Sequence, residues 1–278
     1  MVDGGSTDGS RAIVEDRAAA DIRIRLLDNP ARFVPAALNL AIDASRSPII
    51  VRVDSHAVIA PDYVDTAVAT LERTGADVVG GPMRPEGAGP VGEAVAWALC
   101  SRWGVGGSRF HLEGESGETD SVYMGVFPRT TFERYGCFDD RFLRNQDDEF
   151  TYRVREQGGR VWLDPALRST YAPRADYGAL FRQFRGYGSF KPLVLREHPT
   201  GLRLRHLAPP AVALCWLLLP LALKKRRYAV IPVAHAVAVT IAARPSQPGW
   251  PTRARALLTM HLGYGVGFLR GLFGQPRP

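Results

Sequence analysis

Over residues 1–165, short strand-like runs alternate with helix-like runs, and this alternation most narrows the folds open to the chain. IRIRLL (22–27) alternates apolar and charged residues as a half-buried strand does. SPIIVRVD (47–54) and ADVVGG (76–81) are short apolar runs and predict buried strands, VYMGVFPR another, and RVWLDP a last one. Between them lie helical segments at 8–20 and at 33–44, the latter placing Val34, Ala37, Leu38, Ala41 and Ile42 on one face. PDYVDTAVATLERTG opens with proline and stops at glycine, as helices do. An apolar helix is expected near 93–103 after a Pro/Gly loop at 84–92, a short helix within TTFERYGCFDDRF, and a longer one in DDEFTYRVREQGG ending at Gly158 and Gly159. GVGGSRFHLEGESGET reads as a surface loop. Strands alternating with helices predict a mostly parallel α/β sheet.

Past residue 200 the character changes. APPAVALCWLLLPLAL (208–223) and AVIPVAHAVAVTIAA (229–243) carry no formal charge and flank the tetrad KKRR. LLTMHLGYGVGFLRGLFG spaces its glycines as packed membrane helices do. Each apolar run is shorter than the roughly 20 residues a span needs, which leaves buried core helices as the alternative to membrane association. A first spanning run would also put KKRR on the far side from a cytosolic domain, against the positive-inside rule. Helices lying in the interface avoid that conflict.

The net charge of +7 suits nucleic acid, anionic lipid or phosphorylated ligands. Nucleic acid is disfavoured, because the basic residues interleave with long apolar runs and are not set on a polar face. Three widely spaced cysteines form neither a metal spacing nor a disulfide framework, which points to a reducing compartment. No secretory leader is legible at the N-terminus.

The opening VDGGSTDGS superficially resembles a calcium loop, but counting from Asp3 the register puts Gly5, Asp8 and Val14 where ligand, glycine and glutamate belong, so calcium is rejected. The stretch reads instead as a strand-to-helix turn. Asp3 and Asp54 both stand where a strand gives way to a loop, the rim at which open α/β sheets bind ligands. VRVDSHA sets Asp54 and His56 two residues apart, a carboxylate and an imidazole able to hold a divalent ion that bridges phosphates, or simply a solvated strand end. In RNQDDEFTYRVREQGG, Asp147, Asp148 and Glu149 open a helix, where the helix dipole alone favours them. Crowded like charges also raise a carboxyl pKa, as a general base requires.

Taken together, VDGGSTDGS, VRVDSHA and GCFDDRFLRNQDDEFTYRVREQGGRVW resemble family 2 glycosyltransferases of GT-A fold, and most of all the bacterial succinoglycan-type, membrane-associated glucosyltransferases. The resemblance covers about residues 1–200 and implies a GT-A-like, Rossmann-type mixed sheet followed by apolar membrane helices over 201–278. It implies that Asp3 contacts the donor uracil and Asp54 the donor, that Asp54 and His56 hold Mg²⁺ or Mn²⁺, and that Asp147 is the base, supported by Asp148, Glu149 and Arg153. RQFRGYGSFK resembles the family's donor-phosphate segment only loosely, with Gln183, Arg185 and Tyr187 as candidates, and reads equally as a basic amphipathic helix on a membrane surface.

The implied activity is inverting transfer from a UDP-sugar, by default UDP-glucose, to a lipid-linked or polysaccharide acceptor in exopolysaccharide or cell-envelope synthesis. The implied location is the inner membrane, with the catalytic domain facing the cytoplasm. The alternative is a relative that binds nucleotide-sugar or lipid without catalysis. In this fold the VDGGSTDGS turn follows the second strand, so the resemblance also implies an N-terminally truncated sheet, unstable or inactive without its first strand.

Overall fold

The structure is a computed structural model that describes residues 1–112 and 114–274. The chain starts with strand β1 (Val2–Asp3), whose loop feeds helix α1 (Ser10–Ala20) through Gly9 in the left-handed conformation. Strand β2 (Leu27–Asp28) pairs parallel with β1, and among the described residues this two-stranded unit shares no ladder with the other sheets. The strand expected over 22–27 is reduced to its last residue. Asp21 accepts from the Arg23 backbone and guanidinium, and the Ile24 amide closes on the Asp21 carbonyl, so a turn takes the backbone groups that a ladder needs.

Helix α2 (Val34–Ala44) follows, burying Pro35 and Ile42 and leaving Val34 and Ala41 exposed, so its inner face is rotated from the predicted one. Strand β3 (Ile49–Val51) was expected to be buried and is half-buried throughout, because it pairs on one edge only. Strand β4 (Ala57–Ile59) and helix α3 (Tyr63–Thr74) come next, the helix closed by Gly75 at φ 62°. Strand β5 (Val78–Gly81) is wholly buried, as expected.

The predicted 84–92 loop contains β6 (Arg84–Pro85) and the start of α4 (Gly89–Leu99), which is followed by the single turn α5 (Arg102–Val105). The surface loop expected over 104–119 includes β7 (Gly117–Glu118); its Glu113 lies outside the described residues. Strand β8 (Tyr123–Pro128), α6 (Arg129–Tyr135), α7 (Gln146–Glu156) and β9 (Val161–Leu163) match their predicted segments. A further strand, β10 (Ser169–Tyr171), lies beyond the run expected to be last.

The main sheet has the order β3-β8-β5-β9-β7, and a smaller one runs β4-β10-β6. The sheet is mixed, as the resemblance implied, and not mostly parallel as the alternation alone predicted. Strand β8 runs antiparallel to both β3 and β5, β7 to β9 and β10 to β4, while β5–β9 and β10–β6 are parallel. Side chains alternate across the main sheet. Val78, Phe127, Val161 and Leu163 pack with Phe132, Phe138 and Phe150 beneath α6 and α7, while Val79 and Val126 pack on the α3 side with Tyr63, Ala67 and Leu71.

The C-terminal part is helical: α8 (Tyr177–Glu197), α9 (Leu204–Leu217), α10 (Val230–Ala242) and α11 (Trp250–Phe273). Among the described residues no helix is long and apolar enough to cross a membrane, so the expected membrane helices are not seen as spans. Helix α11 lies along α8 and also meets α4, where Ala256, Leu257 and Met260 join Val95, Ala98 and Leu180 in one core. Helices α9 and α10 leave apolar side chains outside. Leu204, Leu207, Leu214 and Leu217 recur on α9 at helical spacing, and Val230, Val233, Val237 and Ile241 do so on α10.

The α8–α11 contact depends on residues without side chains. A Cβ at Gly188 would stand 2.1 Å from the Tyr264 carbonyl, and one at Gly267 2.1 Å from that of Arg185. Both neighbours are backbone and cannot rotate away. Gly267→Ala should therefore destabilise the protein by about 1–3 kcal/mol. Gly274→Ala, with nothing within 4 Å of the new methyl, should be close to neutral. Thermal denaturation of the two variants side by side checks this.

Candidate active site

Asn145, the N-cap of α7, holds φ 61° and donates from Nδ2 to the Tyr187 carbonyl of α8 at 2.9 Å. Asn tolerates this left-handed conformation better than most residues. The bond fixes the acidic first turn against α8. Successive residues on a helix point about 100° apart, so Asp147, Asp148 and Glu149 face three different surroundings.

Asp147 shares a narrow crevice with Arg52, Gly125, Phe138 and Thr151. Its Oδ1 accepts from the Asp148 amide at 3.0 Å. Burial pushes this carboxyl above its ordinary range; Arg52 opposes the rise, and Asp148 and Asp54 add to it. Arg52 comes from the end of β3, and its guanidinium spans Asp54, with Nε 2.8 Å from Oδ1 and Nη2 3.2 Å from Oδ2. One arginine thus lies between the strand-end acid and the helix-end acid.

Asp148 turns the other way. Its Oδ2 receives Lys191 Nζ of α8 at 2.7 Å. Burial works against its charge as well, but Lys191 outweighs this and holds the carboxyl below its usual range. Glu149 is buried and bound by Arg153 one turn along, Nε to Oε1 at 2.8 Å. Arg153 also donates to the Tyr135 and Cys137 carbonyls, so it braces Glu149 and the loop after α6 and makes no bond to Asp147. A cavity lined by Cys137, Arg141, Glu149, Arg153 and His198 lies on this side of α7.

The donor-side candidates are partly gathered. The strand has ended before Asp54, and the Ala57 amide closes a turn on the Asp54 carbonyl, so Asp54 and His56 do not alternate along an extended strand as expected. His56 is exposed and stands edge-on to Tyr171 with ring centroids 5.1 Å apart, and partial burial of its ring lowers its pKa, with Asp54 opposing. Gln183 donates to both the Tyr171 and Tyr187 hydroxyls, at 3.1 and 3.0 Å. Tyr123, next to Met124 at φ 47° where the β5–β8 register shifts, contributes a buried hydroxyl with no hydrogen-bond partner among the described residues. It lies within electrostatic reach of Asp54, Tyr171, Arg52 and Tyr187.

Among the described residues, Asp3 and Arg185 share no hydrogen bond with this group. The Asp3 carboxylate is engaged within its own loop by the Ser6 hydroxyl and amide and the Gly5 amide, and is also reached by Arg11; the Ser6 hydroxyl is the main cause of its lowered pKa. The Arg185 carbonyl accepts from Ser189 Oγ and lies against Gly267 of α11.

Arg52, Tyr123, Tyr171 and Lys191 are site residues that the sequence reading did not select. For two of them a signal existed. Arg52 is two residues from Asp54 in VRVD, and Lys191 continues the i, i+4 spacing of Gln183 and Tyr187 along one side of α8. Among the described residues no cluster of three or more His, Cys, Asp or Glu forms a metal cage. Asp54 offers one carboxylate ligand, already held by Arg52, and His56 one nitrogen, so an ion there would draw most of its shell from a diphosphate and water.

Because the folded state raises the Asp147 carboxyl, it binds that proton more tightly than the unfolded chain does. The charged form therefore weakens the fold at neutral pH, and the effect fades as the pH falls through the titration of this group. Asp147→Asn should accordingly raise the melting temperature at pH 7–8, by an amount that shrinks towards pH 4. Calorimetry across that range measures the difference.

The sequence profile of glycosyl transferase family 2 matches residues 1–136. The chain is 34% identical over 281 residues to the succinoglycan biosynthesis protein ExoA of Rhizobium meliloti (strain 1021), covering 98% of this chain and 84% of that protein. It is 24% identical over 205 residues to the dolichyl N-acetyl-alpha-D-glucosaminyl phosphate 3-beta-D-2,3-diacetamido-2,3-dideoxy-beta-D-glucuronosyltransferase of Methanococcus voltae, covering 71% of this chain and 64% of that one. Among solved structures, S. aureus TarS 1-349 superposes with a TM-score of 0.46 at 13% identity, over 95% of this chain and 79% of that chain. GalNAc-T7 with UDP, GalNAc and Mn²⁺ superposes with a TM-score of 0.49 at 12% identity, over 70% of this chain and 40% of that chain. On the identity and coverage shared with the succinoglycan biosynthesis protein, the chain belongs to glycosyl transferase family 2.

Proposed function

We propose that this glycosyltransferase moves a sugar from a UDP-sugar, with UDP-glucose as the default donor, to a hydroxyl of a lipid-linked or polysaccharide acceptor, with inversion at the anomeric carbon. The observation that carries this reading is Asp147: a carboxylate at a helix N-terminus, raised in pKa and facing the strand-end pair Arg52–Asp54. A carboxylate raised in this way is a stronger base towards a hydroxyl proton than a free one. Asp147 removes the acceptor proton while the acceptor oxygen bonds to the anomeric carbon. The bond to the diphosphate oxygen breaks, and UDP leaves with the electron pair.

Asp54 and His56 are the residues that would hold Mg²⁺ or Mn²⁺, whose charge would offset that developing on the diphosphate. Arg52 keeps the Asp54 carboxylate in place, and the Tyr171–Gln183–Tyr187 hydrogen bonds shape the facing wall. Asp3 is assigned to the donor base and Arg185 to the donor phosphates. A polysaccharide or lipid-linked acceptor is supported by the relatives, one named for succinoglycan biosynthesis and one for transfer to a dolichyl phosphate-linked sugar. Synthesis of an exopolysaccharide or cell-envelope glycan is the corresponding role.

In this reading residues 1–200 form the catalytic domain and 201–278 attach it to the cytoplasmic face of the inner membrane. The exposed apolar stripes of α9 and α10, joined through Lys224, Lys225, Arg226 and Arg227, support attachment in the interface without a span. Each basic residue near an anionic surface is worth about 1 kcal/mol. Changing all four to Gln should therefore weaken binding to vesicles containing phosphatidylglycerol by about 100-fold or more and affect phosphatidylcholine vesicles little, as co-sedimentation would show.

The transfer reading is tested by UDP release, screened across UDP-sugars with and without Mn²⁺. Asp147→Asn should lose at least about 100-fold in turnover while remaining folded. Undiminished UDP release by the folded variant would remove Asp147 from the reaction.

A further inference from the structure

Lys191 has no part in the mechanism above, yet it is among the most enclosed charges in the protein. It is 5% exposed, on α8 immediately before the in-helix Pro192, with its ammonium 5.6 Å from the centre of the Tyr152 ring and 2.7 Å from Asp148 Oδ2. A buried lysine is costly unless paired. This one is paired with the residue next to the base.

Its surroundings are balanced around that pair. Arg205 binds Asp120, and His206 is buried close by and held neutral, mainly by its burial. Two acids thus meet two cations with no charge left over. Asp147 lies on the other side of the same helical turn, towards Arg52 and Asp54.

We propose that Lys191 is a positioning residue for the transfer step: by binding Asp148 it keeps that carboxylate turned away from the acceptor and leaves Asp147 to take the acceptor proton. The chemistry it guards against is simple. Two adjacent carboxylates without separate counter-charges share protons and compete for the same hydroxyl. With Lys191 in place, Asp148 is a fixed ion inside the protein, and the acid at the reacting centre is a single group. The proposal rests on the reading of Asp147 as the base.

The test is a kinetic cycle on the full chain, following UDP release from the donor selected by the screen, with the folded fraction of each variant measured alongside. Lys191→Met should lower kcat by about ten-fold or more while KM for the donor changes by less than about two-fold. Lys191→Met/Asp148→Asn removes both charges and should regain most of the lost kcat, because a neutral pair replaces an unpaired, half-buried carboxylate beside the base. If Lys191→Met does not fold, the double variant still decides the matter, since the proposal requires it to be folded and active.

A lower melting temperature with unchanged kcat per folded molecule would reduce Lys191 to a structural role and overturn the proposal. A double variant as impaired as the single one would mean that Lys191 acts on the substrate itself, and would overturn it as well. The underlying base assignment fails separately: Asp147→Asn would then keep turnover and Asp148→Asn would lose it. An inactive Asp147→Asn beside a fully active Lys191→Met sinks the positioning role alone.

Discussion

Asp147, Asp148 and Glu149 occupy successive positions in the first turn of α7, and each is answered by a different cation: Arg52 from the end of β3, Lys191 from α8, and Arg153 from α7 itself. The helix dipole favours negative charge at this end. It cannot by itself separate three like charges spaced one residue apart. The separation comes from the roughly 100° turn between neighbours, which sends one carboxylate to the sheet edge, one into the helical half and one beneath the loop after α6. The sheet, α8 and the 135–137 loop meet at this turn, so the arrangement of the charges is also the arrangement of the elements.

The three acids consequently differ in chemistry. Glu149, closed in by Arg153 and buried, is a structural tie. Asp148 is held ionised by a lysine that water scarcely reaches. Asp147 is the one that burial pushes up, with an arginine near enough to restrain the rise. Environments that drive neighbouring carboxyls apart in this way distinguish an acid–base group from its supports. The α8–α11 contact stands behind the arrangement. Lys191 and Tyr187 reach α7, and Gln183 reaches Tyr171 of β10, from a helix seated on α11 through Gly188 and Gly267, where the backbones leave no room for a Cβ.

Much of the fold was legible because periodicity reports element type. The helices after residues 10, 34, 63 and 146 and the buried VVGG strand lie where their patterns put them. Strand direction was not legible, since a run such as YMGVFP carries no record of its partner, and β8 pairs antiparallel on both edges. IRIRLL failed as a strand because Asp21 captures the turn at Arg23, a local hydrogen bond that alternation does not encode. The apolar runs past residue 200 fold into helices too short or too mixed to span, and hydropathy alone did not separate an outward stripe from a span.

Of the site, Asp54 and Asp147 were recognisable as acids at element ends. The cations were harder to place: Arg52 is close to Asp54 in sequence but also faces the distant Asp147, and Lys191 binds Asp148 from another helix. Asp3, marked by its glycine-rich loop, has its carboxylate engaged within that loop on the separate β1–β2 pair.

The central claim is that one carboxylate, Asp147, activates the acceptor for a single displacement. The anomeric configuration of the product tests it most directly. With an α-linked UDP-sugar as donor, NMR of the newly formed glycosidic bond should show the β configuration alone. An α-linked product would require a second displacement or a front-side attack, and would contradict the assignment of Asp147 as the base in a one-step transfer.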